Sequence, residues 1–448
     1  MKLLKNAILE LEITDMDCEG MGISHYEEYT IFVKDALIGE TCKALILKAT
    51  TKIAFAKTIA ILKRSNHRAI PSCPYFGKCG GCNLMHMDYE MELSFKEHAL
   101  KNTINKMVKD VEFGHIVKAD EILHYRNKIS LPVGYDDEGF IVGFYQERSH
   151  NIIPSNICYI ENSAARGIIN ELIGYLNESN IYPYAEMTHT GDVRHLVLRV
   201  NSKNEFMLIM VVRESKDKII KLLKRFYNPL VKSIYINENK ERTNVIMGSS
   251  FIHISGDEYL HEELFGNTFL IHPNSFFQVN YKQMQKLYQT AIKLLEPKET
   301  DVIIDAYSGI GTISLTLAKY VKKVYGIEVV KEAVLNAKQN KAKNNIKNVE
   351  FILGKCEDEI ASLVNKEHID AIVMDPPRKG SDKLFLDTII KAGIAKVIYI
   401  SCGPAALARD LKYMKDNGYE IEKIIPVDMF PKTSNIESVV SLTKKIEK

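Results

Sequence analysis

The sequence predicts an α/β multidomain chain: a small antiparallel β-barrel at the N-terminus, a β-rich central region, and a C-terminal doubly wound parallel sheet. Three observations lead there. Residues 1–62 alternate apolar and polar positions, with turn signals at Glu19-Gly20, Gly22 and Gly39-Glu40, the pattern of a small barrel. Residues 118–272 also read mainly as strands, as in "KISLPVGY", "HLVLRV" and "FMLIMVV". From Ser275 onward, short apolar strands alternate with helical segments, which implies a parallel sheet with helices on both faces.

With 448 residues the chain is too long for one ordinary core, and length alone suggests about three domains. Its composition, 46% hydrophobic and 26% charged, supplies several cores. No apolar run reaches the roughly 18 residues of a membrane span, and "MKLLKNAILELEITD" turns acidic before a signal-peptide core develops. A cytoplasmic location is expected. The net charge of +2 announces no polyanionic partner, but local charge does. Between Lys43 and Arg68 stand Lys48, Lys52, Lys57, Lys63 and Arg64, without an acid; such a stripe on a β-domain attracts phosphates.

After the barrel comes "CPYFGKCGGC". Eight cysteines in a reducing compartment are not read as disulfides. Cys73, Cys79 and Cys82 stand at C-x5-C-x2-C spacing in a Gly-rich loop, where several thiolates can wrap a soft centre, zinc or an iron–sulfur cluster. Cys158 in "IIPSNICYI" is the natural fourth ligand. The stretch "YEMELSFKEHALKNTINKMVK" is helical in period.

In the final third, "VIIDA" runs into "YSGIGT". Gly309 and Gly311 allow a tight turn before a helix. Glu328, at the end of the next strand, is placed to take both hydroxyls of a ribose. The full G-x-G-x-x-G is absent, so an adenosine ligand without a pyrophosphate, such as S-adenosylmethionine, fits better than a dinucleotide. A later strand ends in "MDPPRKG", where two prolines hold Asp375 at the sheet's rim. One strand further, "VIYISCGP" puts Cys402 on the same rim.

A methyl donor beside a thiol narrows the chemistry. Oxygen and nitrogen carry lone pairs and need no thiol to accept a methyl group, whereas carbon 5 of a pyrimidine does. A thiolate adding to carbon 6 makes carbon 5 nucleophilic, and a base must later remove the carbon-5 proton. Glu437, at the start of the expected last strand in "FPKTSNIESVVSL", is suitable.

These motifs resemble the RNA uracil-5-methyltransferases that carry an iron–sulfur cluster, over nearly the whole chain. "EGMGISHYEEYTIFVKDALIGETCKALI" looks like a TRAM domain, an RNA-binding barrel of OB type. "CPYFGKCGGCNLMHMDYEMELSFKE", "YRNKISLPVG", "HPNSFFQVN", "DAYSGIGT", "DPPRKG", "ISCGP" and "FPKTSNIESV" follow in the family's order. The resemblance implies a TRAM domain over 1–62, a central domain over 63–84 and 118–272, a helical segment over 85–117 packing on the catalytic domain, and a Rossmann-like methyltransferase domain over 273–448. It implies that Gln278, Tyr307, Glu328 and Asp375 contact S-adenosylmethionine or organise its site, that Cys402 is the nucleophile and Glu437 the base. It also implies that Cys73, Cys79, Cys82 and Cys158 hold a [4Fe-4S] cluster with a folding or RNA-docking role.

Two positions depart from the family pattern. The usual S-C-N-P has Gly403 in place of asparagine, and Asn435 stands where histidine is frequent. The expected substrate is 23S rRNA, with the tRNA T-loop as alternative, and Arg126 and Lys128 join the lysine stripe as expected phosphate contacts. A cytosine methyltransferase commonly has its thiol after a proline, which "MDPPR" lacks. An iron–sulfur RNA-binding protein without catalysis would not need Cys402 and Glu437 together.

Overall fold

The computed structural model describes residues 3–147 and 149–445, and among these the chain forms four sheets. The first contains β1 (Ile8–Glu12), β2 (Asp15–Met16), β3 (Gly22–Tyr26), β4 (Tyr29–Lys34), β5 (Thr41–Ala49) and β6 (Ile53–Lys63), in the order β1-β5-β6-β4-β3-β2. Only Ile13 and Thr14 separate β1 from β2, yet β1 pairs with β5 and β2 with β3. One stretch of chain therefore supplies both edges, and the sheet closes. Cys42, Ala44, Ile46, Ala54 and Ala56 alternate inward on the β5/β6 hairpin, where their small size admits Ile31 and Val33 from β4.

Beyond β6 the basic stretch turns inward. Arg68 clamps the fully buried Glu40 carboxylate, with Nε–Oε1 at 2.6 Å and Nη2–Oε2 at 2.7 Å. It thus belongs to an ion pair inside the fold and drops out of the exposed stripe, while Lys43, Lys48, Lys52, Lys57, Lys63 and Arg64 stay exposed. Next comes α1 (Tyr89–Asn105), whose N-cap Asp88 accepts from Met91 N at 2.8 Å.

The central sheet has the order β13-β12-β11-β10-β7-β8-β9. Its strands are β7 (Lys128–Asp136), β8 (Gly139–Tyr145), β9 (Ile152–Pro154), β10 (Val193–Val200), β11 (Phe206–Val212), β12 (Val231–Glu238) and β13 (Ser250–Gly256). This region also holds two helices that the strand-like texture hid, α2 (Ala165–Asn177) and α3 (Asp217–Arg225). In α3 only Ile219, Leu222 and Leu223 turn inward, a helical spacing too short to stand out among strands. α3 makes β11 and β12 a parallel pair.

β10 and β11 are buried throughout, because each face of the sheet meets a different core. Leu196, Leu198, Leu208 and Met210 pack with α2 and α3. Val197, Met207, Ile209 and Val211 pack instead with residues of the C-terminal sheet and its helices. A hairpin, β14 (Leu260–Leu264) and β15 (Asn267–Ile271), and α4 (Tyr281–Leu295) complete the join.

The last sheet comprises β16 (Val302–Ala306), β17 (Lys323–Glu328), β18 (Val349–Leu353), β19 (Ala371–Met374), β20 (Lys396–Ser401), β21 (Tyr419–Val427) and β22 (Glu437–Lys444). Their order is β18-β17-β16-β19-β20-β22-β21. β16 to β20 are parallel, and β22 runs antiparallel to both its neighbours. Around them stand α5 (Thr312–Leu317), α6 (Lys331–Lys343), α7 (Cys356–Val364), α8 (Lys383–Ala392) and α9 (Pro404–Asp416). The strand order reverses between β16 and β19, the switch point at which open α/β sheets bind ligands. Because β22 is reversed, its first residue lies on the same rim as the last residues of β19 and β20. No helix among the described residues is long and apolar enough to cross a membrane.

Candidate active site

Cys402 follows β20 directly, and Gly403 and Pro404 start α9 behind it. A Cβ on Gly403 would lie 2.6 Å from the carbonyl oxygen of Arg378. Glycine here lets the "DPPRKG" loop approach the thiol's loop closely, so the departure from the family pattern tightens this junction. Opposite in register, Ser401 pairs with Ser438, which brings Glu437 next to the thiol's position. A lone glutamate at a strand start is ordinarily solvated; Glu437 is 3% exposed, and its Oε2 has no hydrogen-bond partner.

Asp375 closes β19 on the same rim. The three acidic groups share one electrostatic environment. Burial, then the charge of Asp375, drives the Glu437 carboxyl well above the carboxylate range. Burial pushes Asp375 up to about 7, against the opposing hydrogen bond of Gln278. Burial first, and then the charges of Glu437 and Asp375, push the Cys402 thiol up to about 11, with Arg378 pulling the other way.

The glycine loop expected to take an adenosine ligand adjoins them. Tyr307, Gly309 and Gly311 all take left-handed backbone angles, with φ of 63°, 54° and 86°. At Gly311 a Cβ would meet Phe351 Cζ at 2.5 Å, so glycine permits close packing there; at Gly309 it would meet nothing within 4 Å, so the loop faces open space. Glu328 accepts from Gly309 N at 3.0 Å and from Val330 N at 2.9 Å. Two backbone bonds thus orient the carboxylate beside that space. The Tyr307 ring meets Phe385 edge-on at 5.3 Å. Gln278, Tyr307, Glu328 and Asp375 therefore come together along the ends of β16, β17 and β19.

Sequence reasoning passed over Asp305. It is fully buried beneath the glycine loop, accepts from Ser314 Oγ at 2.5 Å, leaves Oδ1 unpartnered, and is pushed up to about 7 by burial. A charged residue inside the apolar run "VIIDA" was the available signal.

A groove of about 1150 Å³ runs from Cys402 to the barrel. Arg378, Asn435, Lys106, Lys48 and Phe55 line it. Of the basic stretch after β4, Lys48 is the member on this wall. Phe55 stacks on Phe32, its register partner on β4, with ring centroids 5.5 Å apart and planes 21° apart.

Cys73, Cys79, Cys82 and Cys158 line a second cavity of about 450 Å³, and all four are free thiols. Burial, and in most cases neighbouring thiols, raise Cys79, Cys82 and Cys158, the last to about 12. Among the described residues, no group of three or more His, Cys, Asp or Glu is disposed to hold a metal ion. Arg126 and Lys128 stand in the wall of this cavity. Burial and the neighbouring Arg199 and Arg126 charges bring Lys128 down to about 8. Both residues are half-buried and share this cavity with the thiols.

Residues 88–445 match the family model of tRNA (Uracil-5-)-methyltransferase. The chain belongs to this family. An uncharacterized RNA methyltransferase of Oceanobacillus iheyensis is 40% identical over 99% of this chain and 98% of its own length. One from Clostridium tetani is 38% identical over 98% and 97%. Among solved structures, the Pyrococcus abyssi tRNA (uracil-54, C5)-methyltransferase in complex with S-adenosyl-L-homocysteine is 27% identical. It covers 97% of this chain and 99% of its own, with a TM-score of 0.78. The protein is an RNA (uracil-5-)-methyltransferase, and S-adenosylmethionine is its methyl donor.

In this uracil-5-methyltransferase the Glu437 charge opposes ionisation of Cys402. Glu437→Gln should therefore move the inflection of Cys402 alkylation by iodoacetamide, followed on the Cys402 peptide by mass spectrometry, to lower pH. An unchanged or higher inflection would show that the two groups are not coupled.

Proposed function

We propose that this enzyme methylates carbon 5 of a uridine in 23S rRNA through a covalent bond between Cys402 and carbon 6. The observation that carries the mechanism is the convergence of a thiol and a buried, unpartnered carboxyl on one rim beside the adenosine loop. The Cys402 thiolate forms the sulfur–carbon bond, and the electrons of the 5,6 double bond pass into an enolate. S-adenosylmethionine, which Gln278, Tyr307, Glu328 and Asp375 would hold, supplies the methyl group to carbon 5; its methyl–sulfur bond breaks and S-adenosylhomocysteine leaves. Glu437 then takes the carbon-5 proton; the electron pair restores the double bond and expels the thiolate. Burial suits Glu437 to this step, since a carboxylate of raised pKa is a stronger base near neutral pH.

The four thiols line one cavity, and thiolates in that number suit zinc or an iron–sulfur cluster; the family resemblance favours the cluster. We assign them to a [4Fe-4S] cluster. It would hold the loop "CPYFGKCGGC" against the central sheet, and the methyl transfer moves no net electrons that would call on its redox chemistry.

The barrel is assigned to RNA docking, as a TRAM-type domain. Attack on carbon 6 requires the uridine to leave its stack, at a cost of a few kcal/mol. The stacked Phe32 and Phe55 rings and Lys48 on the groove wall suit an unpaired base and its phosphate. A second reading, the tRNA T-loop, is favoured by the Pyrococcus abyssi protein. That tRNA enzyme spans 97% of this chain, so possession of a barrel and a central region does not by itself separate the two substrates.

Cys402→Ala should abolish methylation and the covalent adduct with 5-fluorouridine RNA, while Glu437→Gln should accumulate a denaturant-stable protein–RNA species. Full turnover by Cys402→Ala would sink the covalent mechanism. Nucleoside mapping of rRNA and tRNA from cells lacking the gene separates the two substrates.

Anaerobically purified protein should be brown with about four irons per chain. One zinc without visible absorption would overturn the cluster and leave the methyl transfer intact. Phe55→Ala combined with Lys48→Ala should weaken RNA binding about tenfold or more, as loss of a stacked base and a phosphate contact implies. S-adenosylmethionine binding, read by calorimetry, should not change; equal RNA affinity would remove the barrel from the docking surface.

A further inference from the structure

Residues 428–436 join β21 to β22 and deliver Glu437 to the rim. Five consecutive carbonyls of this segment are taken by four separate parts of the chain. Asp428 O accepts from Gln283 at 2.9 Å, Met429 O from Asn280 at 3.0 Å, and Phe430 O from Lys96 at 3.1 Å. Pro431 O accepts from the Tyr125 hydroxyl at 3.0 Å, and Lys432 O from the backbone of Asn83 and Leu84 at 3.2 and 3.1 Å.

A charge cluster lies under the same segment. Lys96, 1% exposed, donates to Asp428 Oδ1 at 2.6 Å and to Glu92 Oε1 at 2.8 Å. Glu92 also accepts from Lys432 N at 2.6 Å and from Lys432 Nζ at 3.1 Å, and Tyr89 donates to Asp428 Oδ2 at 2.7 Å. Two ammoniums balance two carboxylates. Lys432 is held at a φ of 68°, a left-handed conformation that costs a lysine free energy.

Buried ion pairs seldom stabilise a fold more than apolar side chains of the same volume would. What they fix is geometry. Asp428 follows Val427, which is the register partner of Glu437, so the cluster clamps the chain beside the catalytic carboxyl. The far end of the segment is tied as well: Ser434 N donates to Asn83 Oδ1 at 2.9 Å.

We infer that Glu92, Lys96, Asp428 and Lys432 are positioning residues for proton abstraction, holding Glu437 at the carbon-5 face of the methylated adduct. This rests on the reading of Glu437 as the base. The cluster acts late: nucleophilic addition by Cys402 uses a different strand and loop, so its loss should spare addition and impair elimination.

Lys96→Met alone strands the Asp428 charge, so the test uses Lys96→Met with Asp428→Asn, which leaves the Glu92–Lys432 pair balanced. Expected is a turnover lowered about tenfold or more, as for a misplaced general base, with a stalled protein–RNA species accumulating on ordinary uridine RNA. Trapping by 5-fluorouridine RNA should stay at the parental rate. If trapping and turnover fall together, or turnover is unchanged, the cluster does not position the base. Should the pair fail to fold, Tyr89→Phe removes one bond to Asp428 and should give the same pattern in weaker form. Glu437→Gln is the control: its failure to stall would overturn the base assignment itself, separately from the cluster.

Discussion

A thiol and two carboxyls on one buried rim cannot all be ionised cheaply, and much of the catalytic site is arranged around that constraint. Each group suffers desolvation; the charge of Asp375 then raises Glu437, and the charges of Glu437 and Asp375 raise Cys402. An ionised Glu437 therefore disfavours the thiolate. The proposed reaction uses the two in turn, with the thiolate at the beginning and the carboxylate at the end. In the proposed donor site, a sulfonium along the Gln278–Asp375 edge would offset part of that negative charge.

The rim can hold this arrangement because its surroundings are rigid. β11 is shared between two cores, one under α2 and α3 and one under the catalytic sheet, so the central region and the catalytic region cannot slide without opening both. The segment after β21 adds polar fastening at the point nearest Glu437. Asn83 extends it to the barrel, accepting from Ser434 and donating to Glu19 O at 2.6 Å. The groove that joins barrel and thiol therefore has walls whose relative position is set by packing and by hydrogen bonds at its floor.

What could be read from the sequence was local. A glycine turn after a strand, two prolines after an aspartate and a thiol before Gly-Pro all lie within a few residues, and each marks a strand end whatever the rest of the chain does. The burial of Glu437 was not legible, because it follows from β22 inserting antiparallel between β20 and β21, a long-range pairing. Arg68, which pairs with buried Glu40, and the half-buried Arg126 and Lys128 show a complementary limit. Charge in a sequence indicates exposure only on average, and each of these finds a partner or a cavity wall that sequence spacing does not reveal. Lys96 was hidden for the same reason, its partners Asp428 and Phe430 lying more than 300 residues away.

The two departures from the family pattern meet at one residue, Arg378. Gly403 admits the backbone carbonyl of Arg378 to a distance that any Cβ would forbid. Asn435 accepts from the Arg378 guanidinium at 3.4 Å, a long contact, and its own amide is turned toward Thr433 Oγ1 at 3.3 Å. Arg378 is also the cation that opposes the rise in the Cys402 pKa. A glycine that brings the arginine's loop inward and an asparagine that receives its head group are thus two parts of one local solution. Where an imidazole at position 435 would place a fourth titratable group beside Cys402, Glu437 and Asp375, an amide adds no further charge. The asparagine removes a possible proton relay, and it leaves the balance between those three to burial, their own charges, Gln278 and Arg378.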